Sequence, residues 1–115
     1  MRLIIAGGRG YKFTSADITL LDCMKHTITE IVTGGATGAD TEGLSYAQAC
    51  GIPCKVFGAD WRKFGKSAGH IRNRDMAIYA DTVLLFPGGR GTESMHKFAV
   101  EHGLTILDYR NENIT

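Results

Sequence analysis

Three times in this chain an apolar, β-branched run breaks directly into a glycine-rich turn. Leu3-Ile4-Ile5-Ala6 leads into Gly7-Gly8-Arg9-Gly10, Ile31-Val32 into Gly34-Gly35-Ala36-Thr37-Gly38, and Val83-Leu84-Leu85-Phe86 into Pro87-Gly88-Gly89-Arg90-Gly91-Thr92. A helix-compatible stretch follows each turn, at once or after a short connection. Strand, glycine turn and helix in that order aim backbone N–H groups and a helix N-terminus at an anion. In an open α/β sheet such turns collect at the carboxyl edge of the strands, where these folds bind ligands. The pattern predicts a protein that holds a phosphate-bearing molecule; the bland alternative is that the glycines only cap helices.

Periodicity places strands at 1–6, 30–33, 53–57, 82–86 and 104–109, with helices between them, among them 40–50, 69–80 and 92–101. Ser15 is the expected N-cap of the first helix, which carries Ile18, Leu21 and Met24 at helical spacing, and residues 58–68 read as a long loop. Alternation of strand and helix implies one α/β, Rossmann-like, doubly wound domain. Its sheet is five-stranded and mainly parallel, in the order 3-2-1-4-5, with helices on both faces. Residues 1–110 make up that domain, and 111–115 a short polar tail.

The net charge of +1 argues against a protein that coats nucleic acid without specificity. Charge is nevertheless concentrated locally, since Arg62, Lys63, Lys66, Arg72 and Arg74 lie close together with no acid among them. They form either a phosphate-facing segment or a solvated basic surface. No apolar run is long enough for a membrane span, no signal-peptide pattern is present, and three unpaired-looking cysteines suit a reducing cytoplasm. The four histidines show no metal-ligand spacing, so no metal and no cofactor are expected. Of these, His70, at the start of the basic helix, is the one placed to reach a site.

The glycine turns supply the first candidate ligand contacts: Gly7, Gly8, Gly34, Gly35, Gly38, Gly88, Gly89 and Gly91, with Pro87 shaping the last turn. Arg9, Arg72 and Arg90 offer fixed charge, and Thr92 a hydroxyl. Asp40 reads as an N-cap or a partner for ribose hydroxyls, a role Asp60 shares, and Trp61 is placed to stack on a base or cover the site. Gly65-Lys66-Ser67 imitates the end of a P-loop, but the first glycine of that motif would fall at Asp60; G-x-S-x-G is met at the same place without the strand a nucleophile elbow needs. Lys66 and Ser67 remain candidates for phosphate contact, as does Asn73 beside Arg72. Arg72 and Arg74 cannot both point at one spot from a helix, so one is expected to face the ligand and the other a carboxylate or solvent.

These residues resemble the SLOG superfamily, which includes the LOG phosphoribohydrolases, DprA and the YpsA proteins. The likeness is strongest to the small YspA-type, YpsA-related branch. It is carried by Ile4-Ile5-Ala6-Gly7-Gly8-Arg9, by Gly34-Gly35-Ala36-Thr37-Gly38-Ala39-Asp40, by Ala59-Asp60-Trp61 with Gly65-Lys66-Ser67-Ala68-Gly69, by Arg72-Asn73 with Met76, and by Gly91-Thr92. The resemblance implies a Rossmann-like sheet, a nucleotide or nucleotide-derived ligand of NAD or ADP-ribose type, and a sensor or sink for it. It also implies a homodimer or larger assembly with the 69–80 helix near the contact.

LOG enzymes carry P-G-G-x-G-T-x-x-E, and Pro87–Thr92 matches its first six positions, but Met95 stands where the catalytic glutamate belongs. The catalytic arginine of LOG, four positions before a methionine, is matched by Arg72 and Met76. A LOG-type N-ribosidic hydrolase would therefore have to use Arg72 with Glu93, which lies about 200° round the helix from Met95. DprA-like nucleic-acid binding through the 62–74 segment is the third reading.

Overall fold

A computed structural model describes residues 1–110 of the chain, so the expected tail at 111–115 lies outside the described residues. Five strands, β1 (Arg2–Ala6), β2 (Glu30–Thr33), β3 (Cys54–Val56), β4 (Thr82–Leu85) and β5 (Thr105–Asp108), form one sheet in the order β3-β2-β1-β4-β5. Every pairing is parallel, so the doubly wound order read from the sequence is the one the chain adopts. Ile4 of β1 lies opposite Val32 of β2 and Val83 of β4.

Four helices cover the sheet, α1 (Ser15–Met24), α2 (Ala39–Cys50), α4 (Ala68–Tyr79) and α5 (Arg90–Glu101), and a short α3 (Trp61–Phe64) packs against α4. Side chains alternate across each strand and so divide between two cores. Leu3, Ile5, Ile31 and Leu84 pack with Leu21 of α1 and Tyr46 of α2. Ile4, Val32, Val83 and Leu85 pack on the opposite face with Met76 of α4 and Met95 of α5. β4 is buried along its whole length, as expected of a central strand covered on both faces.

Several boundaries differ from the sequence reading, each for a local reason. Thr14, not Ser15, caps α1: its hydroxyl accepts from the Asp17 amide at 3.1 Å and the Asp17 carboxylate accepts from the Thr14 amide at 2.9 Å, a complete capping box. The 58–68 loop contains α3 and a 3₁₀ turn, Gly65–Ser67, because Asp60 caps this stretch by accepting from the Lys63 amide at 3.1 Å. α5 begins at Arg90, so Arg90, Gly91 and Thr92 form its first turn and are not loop residues. α2 starts after Gly38, which displaces Asp40 from the cap position into the first helical turn.

Candidate functional site

Strands β2, β1 and β4 are neighbours, so the glycine turns that follow them meet at one edge of the sheet. They are fastened to one another by backbone hydrogen bonds. The Gly8 amide donates to the Pro87 carbonyl at 2.8 Å, and the Ala39 amide donates to the Gly8 carbonyl at 3.2 Å. Glycine is required for this closeness: a Cβ on Gly38, whose φ is +79°, would stand 2.1 Å from the Gly8 carbonyl oxygen. A Cβ on Gly88 would stand 2.1 Å from Thr92 Oγ1 and 2.7 Å from the Gly8 nitrogen.

Asp40 closes the middle turn from inside. One of its oxygens accepts from the Gly34 and Ala36 amides, both at 3.1 Å. Burial pushes its carboxyl up from the ordinary value, against those amide hydrogen bonds and the nearby Arg72 charge, which pull it down. Arg72, on α4, donates from Nη1 to the Gly34 carbonyl at 2.9 Å and from Nε to Asn73 Oδ1 at 3.3 Å. Arg74 points away beside Asp75, with 3.5 Å between charged atoms, so the two arginines of α4 divide as helical geometry demands.

Above these turns lies a cavity of about 1130 Å³. The sequence-derived candidates that line it include Gly7, Gly8 and Arg9 from the first turn, and Gly34, Gly35 and Asp40 from the second. From α3 to α4 come Trp61, Lys66, Arg72 and Asn73, and from the third turn and α5 come Gly89, Arg90, Gly91 and Thr92. Six candidates stand outside its wall: Gly38, Asp60, Ser67, Pro87, Gly88 and Glu93. Gly38, Pro87 and Gly88 join the turns together, and Asp60 caps α3. Glu93 is exposed on α5, where its charge acts on Arg110.

The wall also contains residues the sequence reading did not place there. Val56 ends β3 at the same sheet edge as the turns, and the rule for strand ends would have found it. Met76 and Met95 form the apolar side. His70, the one histidine that the sequence placed to reach a site, opens onto the cavity from the first turn of α4.

The electrostatics are one-sided. Arg9, Lys66, Arg72 and Arg90 line the cavity, and among the described residues none of the four forms an ion pair. The single carboxylate in the wall, Asp40, is committed to backbone amides. α5 starts with no side-chain cap, leaving its first amides toward the site. Thr92, only 4% exposed, has a hydroxyl with no hydrogen bond among the described residues. The basic residues of 62–74 are not one stripe: Lys66 and Arg72 face the cavity, whereas Arg62, Lys63 and Arg74 do not.

The profile of the YspA, cpYpsA-related SLOG family matches residues 1–64, more than half of the chain. The chain belongs to this family. Its matched half carries β1 to α3, hence the first two glycine turns and Trp61. Gene 61 protein of Mycobacterium phage D29 is 30% identical over 122 aligned positions, covering 94% of this chain and 95% of the phage protein. No solved structure matches at a significant level. Among the described residues no helix of this SLOG-family chain is long and apolar enough to cross a membrane.

Proposed function

We propose that this SLOG-family chain binds a nucleotide or nucleotide-derived ligand of NAD or ADP-ribose type in the cavity and serves as its sensor or sink. One observation carries the reading: Arg9, Lys66, Arg72 and Arg90 stand in the wall without a carboxylate partner among the described residues. Four cations share the wall with a single carboxylate, Asp40, and a multiply anionic guest offsets the net positive charge that results. The phosphate end belongs at the start of α5, where uncapped amides, Arg90 and the free Thr92 hydroxyl converge. The base belongs beside Trp61, which is 56% exposed and presents its ring to the cavity rim. The volume suits a ligand larger than inorganic phosphate.

Binding is favoured over LOG-type hydrolysis because Glu93 stands outside the wall and Met95 inside it. A homodimer with α4 near its contact is part of the same proposal, and light scattering on the purified protein reads it directly. The deciding experiment is a thermal-shift screen with AMP, ADP, ATP, NAD, ADP-ribose and cyclic nucleotides. A ligand at 100 times its Kd adds about 2.7 kcal/mol of stability, visible as several degrees. A shift with one ligand class, lost in Arg90→Ala, is the expected result. No shift with any of them, together with salt-sensitive DNA binding, would replace this reading with the DprA-like one.

A further inference from the structure

His70 is a further polar side chain of the cavity wall, and its ring is held by a chain of hydrogen bonds whose direction can be worked out. Arg72 Nε can only donate, so the Asn73 atom 3.3 Å away must be the amide oxygen. The Gly91 carbonyl can only accept, so the Asn73 atom 3.2 Å from it must be the amide nitrogen. These two partners fix the orientation of the Asn73 amide independently. The second proton of that nitrogen then goes to Ser94 Oγ at 3.2 Å. Ser94 Oγ could accept a second bond, but its own proton has no other acceptor among the described residues, and so it goes to His70 Nδ1, 2.7 Å away. Asn73 and Ser94 are 5% and 7% exposed, so water has little access to the two inner links of the chain.

A ring that accepts at Nδ1 carries its proton at Nε2 when neutral. We propose that His70 is a ligand-contacting residue that donates Nε2–H to a phosphate oxygen of the bound nucleotide, with Ser94 and Asn73 as the positioning residues that set its tautomer. This rests on the reading of the cavity as a nucleotide site. The phosphate is the partner because His70 is tied through Ser94 to the first turns of α5, which hold Arg90 and Thr92. The same chain begins at Arg72, so two groups of the cavity wall are joined through the buried α4–α5 contact. Met95 leaves the wall without the acid of the LOG motif, and His70 supplies a hydrogen-bond donor there.

The test has a part that needs no ligand. Long-range ¹H–¹⁵N spectra of the free protein above the pH at which histidines titrate should show His70 as the Nε2–H tautomer. Ser94→Ala, provided it keeps the wild-type near-ultraviolet circular dichroism, should turn it into a tautomer mixture. A dominant Nδ1–H form in the wild type, or an unchanged tautomer in a folded Ser94→Ala, would overturn the proposal whatever the cavity binds. The second part titrates AMP and adenosine into wild type, His70→Asn and His70→Gln. Asparagine keeps a polar atom near Ser94 but loses the cavity donor, whereas the glutamine amide nitrogen reaches the place of Nε2. His70→Asn should weaken AMP about tenfold and adenosine by less than twofold, and His70→Gln should recover most of the AMP affinity. AMP affinity equal to wild type in His70→Asn, while Arg90→Ala has lost it, would sink the role of His70 and leave the nucleotide reading standing. If the wild type binds neither AMP nor any other nucleotide of the thermal-shift screen, both readings fall.

Discussion

Arg72 Nη1 donates to the carbonyl of Gly34 at 2.9 Å and so ties α4 to the glycine turn after β2. Its Nε serves Asn73 from the same planar head. The geometry is tight, since a Cβ on Gly34 would fall 2.8 Å from the guanidinium carbon. Lysine keeps the charge but has one compact head, which cannot reach both acceptors. Arg72→Lys is therefore expected to lower stability by about 1–2 kcal/mol and to weaken the best nucleotide from the screen tenfold or more. Thermal unfolding and calorimetric titration measure the two effects. A variant that matches wild type in both would show that the arginine acts as a simple point charge.

The sheet order was legible because buried parallel strands read as short apolar runs between turns, and right-handed crossovers leave few arrangements. The site was legible in outline for the same reason: turns at the ends of β1, β2 and β4 have to meet. What the chain pattern could not convey was which backbone groups the turns spend on each other. Gly8 and Gly34 look like phosphate cradles in sequence, yet the amide of one is given to Pro87 and that of the other to Asp40. Asp40 itself looks like a cap because acids often stand at helix starts, but here its burial and two amide partners make it the internal tie of the turn. The α3 helix was missed because its few residues give too short a window for periodicity.

The difference between a structural and a ligand-facing glycine yields a paired prediction. Gly38→Ala forces a side chain into a left-handed conformation and onto the Gly8 carbonyl, so several kcal/mol and the junction of two turns should be lost. Gly91 has ordinary φ, sits in the first turn of α5 and has nothing within 4 Å of a built Cβ. Gly91→Ala should raise stability by about 0.5–1 kcal/mol through helix propensity. It should also weaken a phosphate bound against the α5 amides. Unfolding in urea and nucleotide titration read the two in parallel. A Gly91→Ala protein that gains stability and keeps full affinity would move the phosphate away from α5.

Asp40 makes stability depend on pH in a direction opposite to a surface acid. Its folded-state pKa is raised by burial, so folding favours the protonated form. The contribution is most favourable below the ordinary value of about 3.9 and declines as pH rises through the raised one. Asn stands in for the protonated acid and still offers one oxygen to both amides. Asp40→Asn should thus be at least as stable as wild type at pH 7 and lose this part of the pH dependence. Asp40→Ala strands the Gly34 and Ala36 amides and should cost about 2 kcal/mol near pH 4 and less at pH 7. Urea unfolding of the three proteins between about pH 4 and 7 checks the signs. A large loss of stability in Asp40→Asn at pH 7 would mean that the ionised carboxylate is net stabilising.

Glu93 and Met95 separate binding from hydrolysis. Glu93 is exposed and outside the cavity wall, so Glu93→Gln should leave nucleotide affinity within twofold of wild type. Neither protein should release free base from AMP, because Met95 stands in the wall where the LOG motif has its catalytic acid and Glu93 stands outside it. Met95 is 1% exposed and belongs to the wall. Met95→Glu restores the LOG pattern in sequence but adds a negative charge beside the cations of the cavity wall, where the proposed anionic ligand would sit. It should weaken nucleotide binding, more so at low salt where charges are least screened. Base release by the wild type that disappears in Glu93→Gln would reverse the argument: the acid would then have to reach the cavity by a movement of the first turn of α5, and the protein would be a hydrolase.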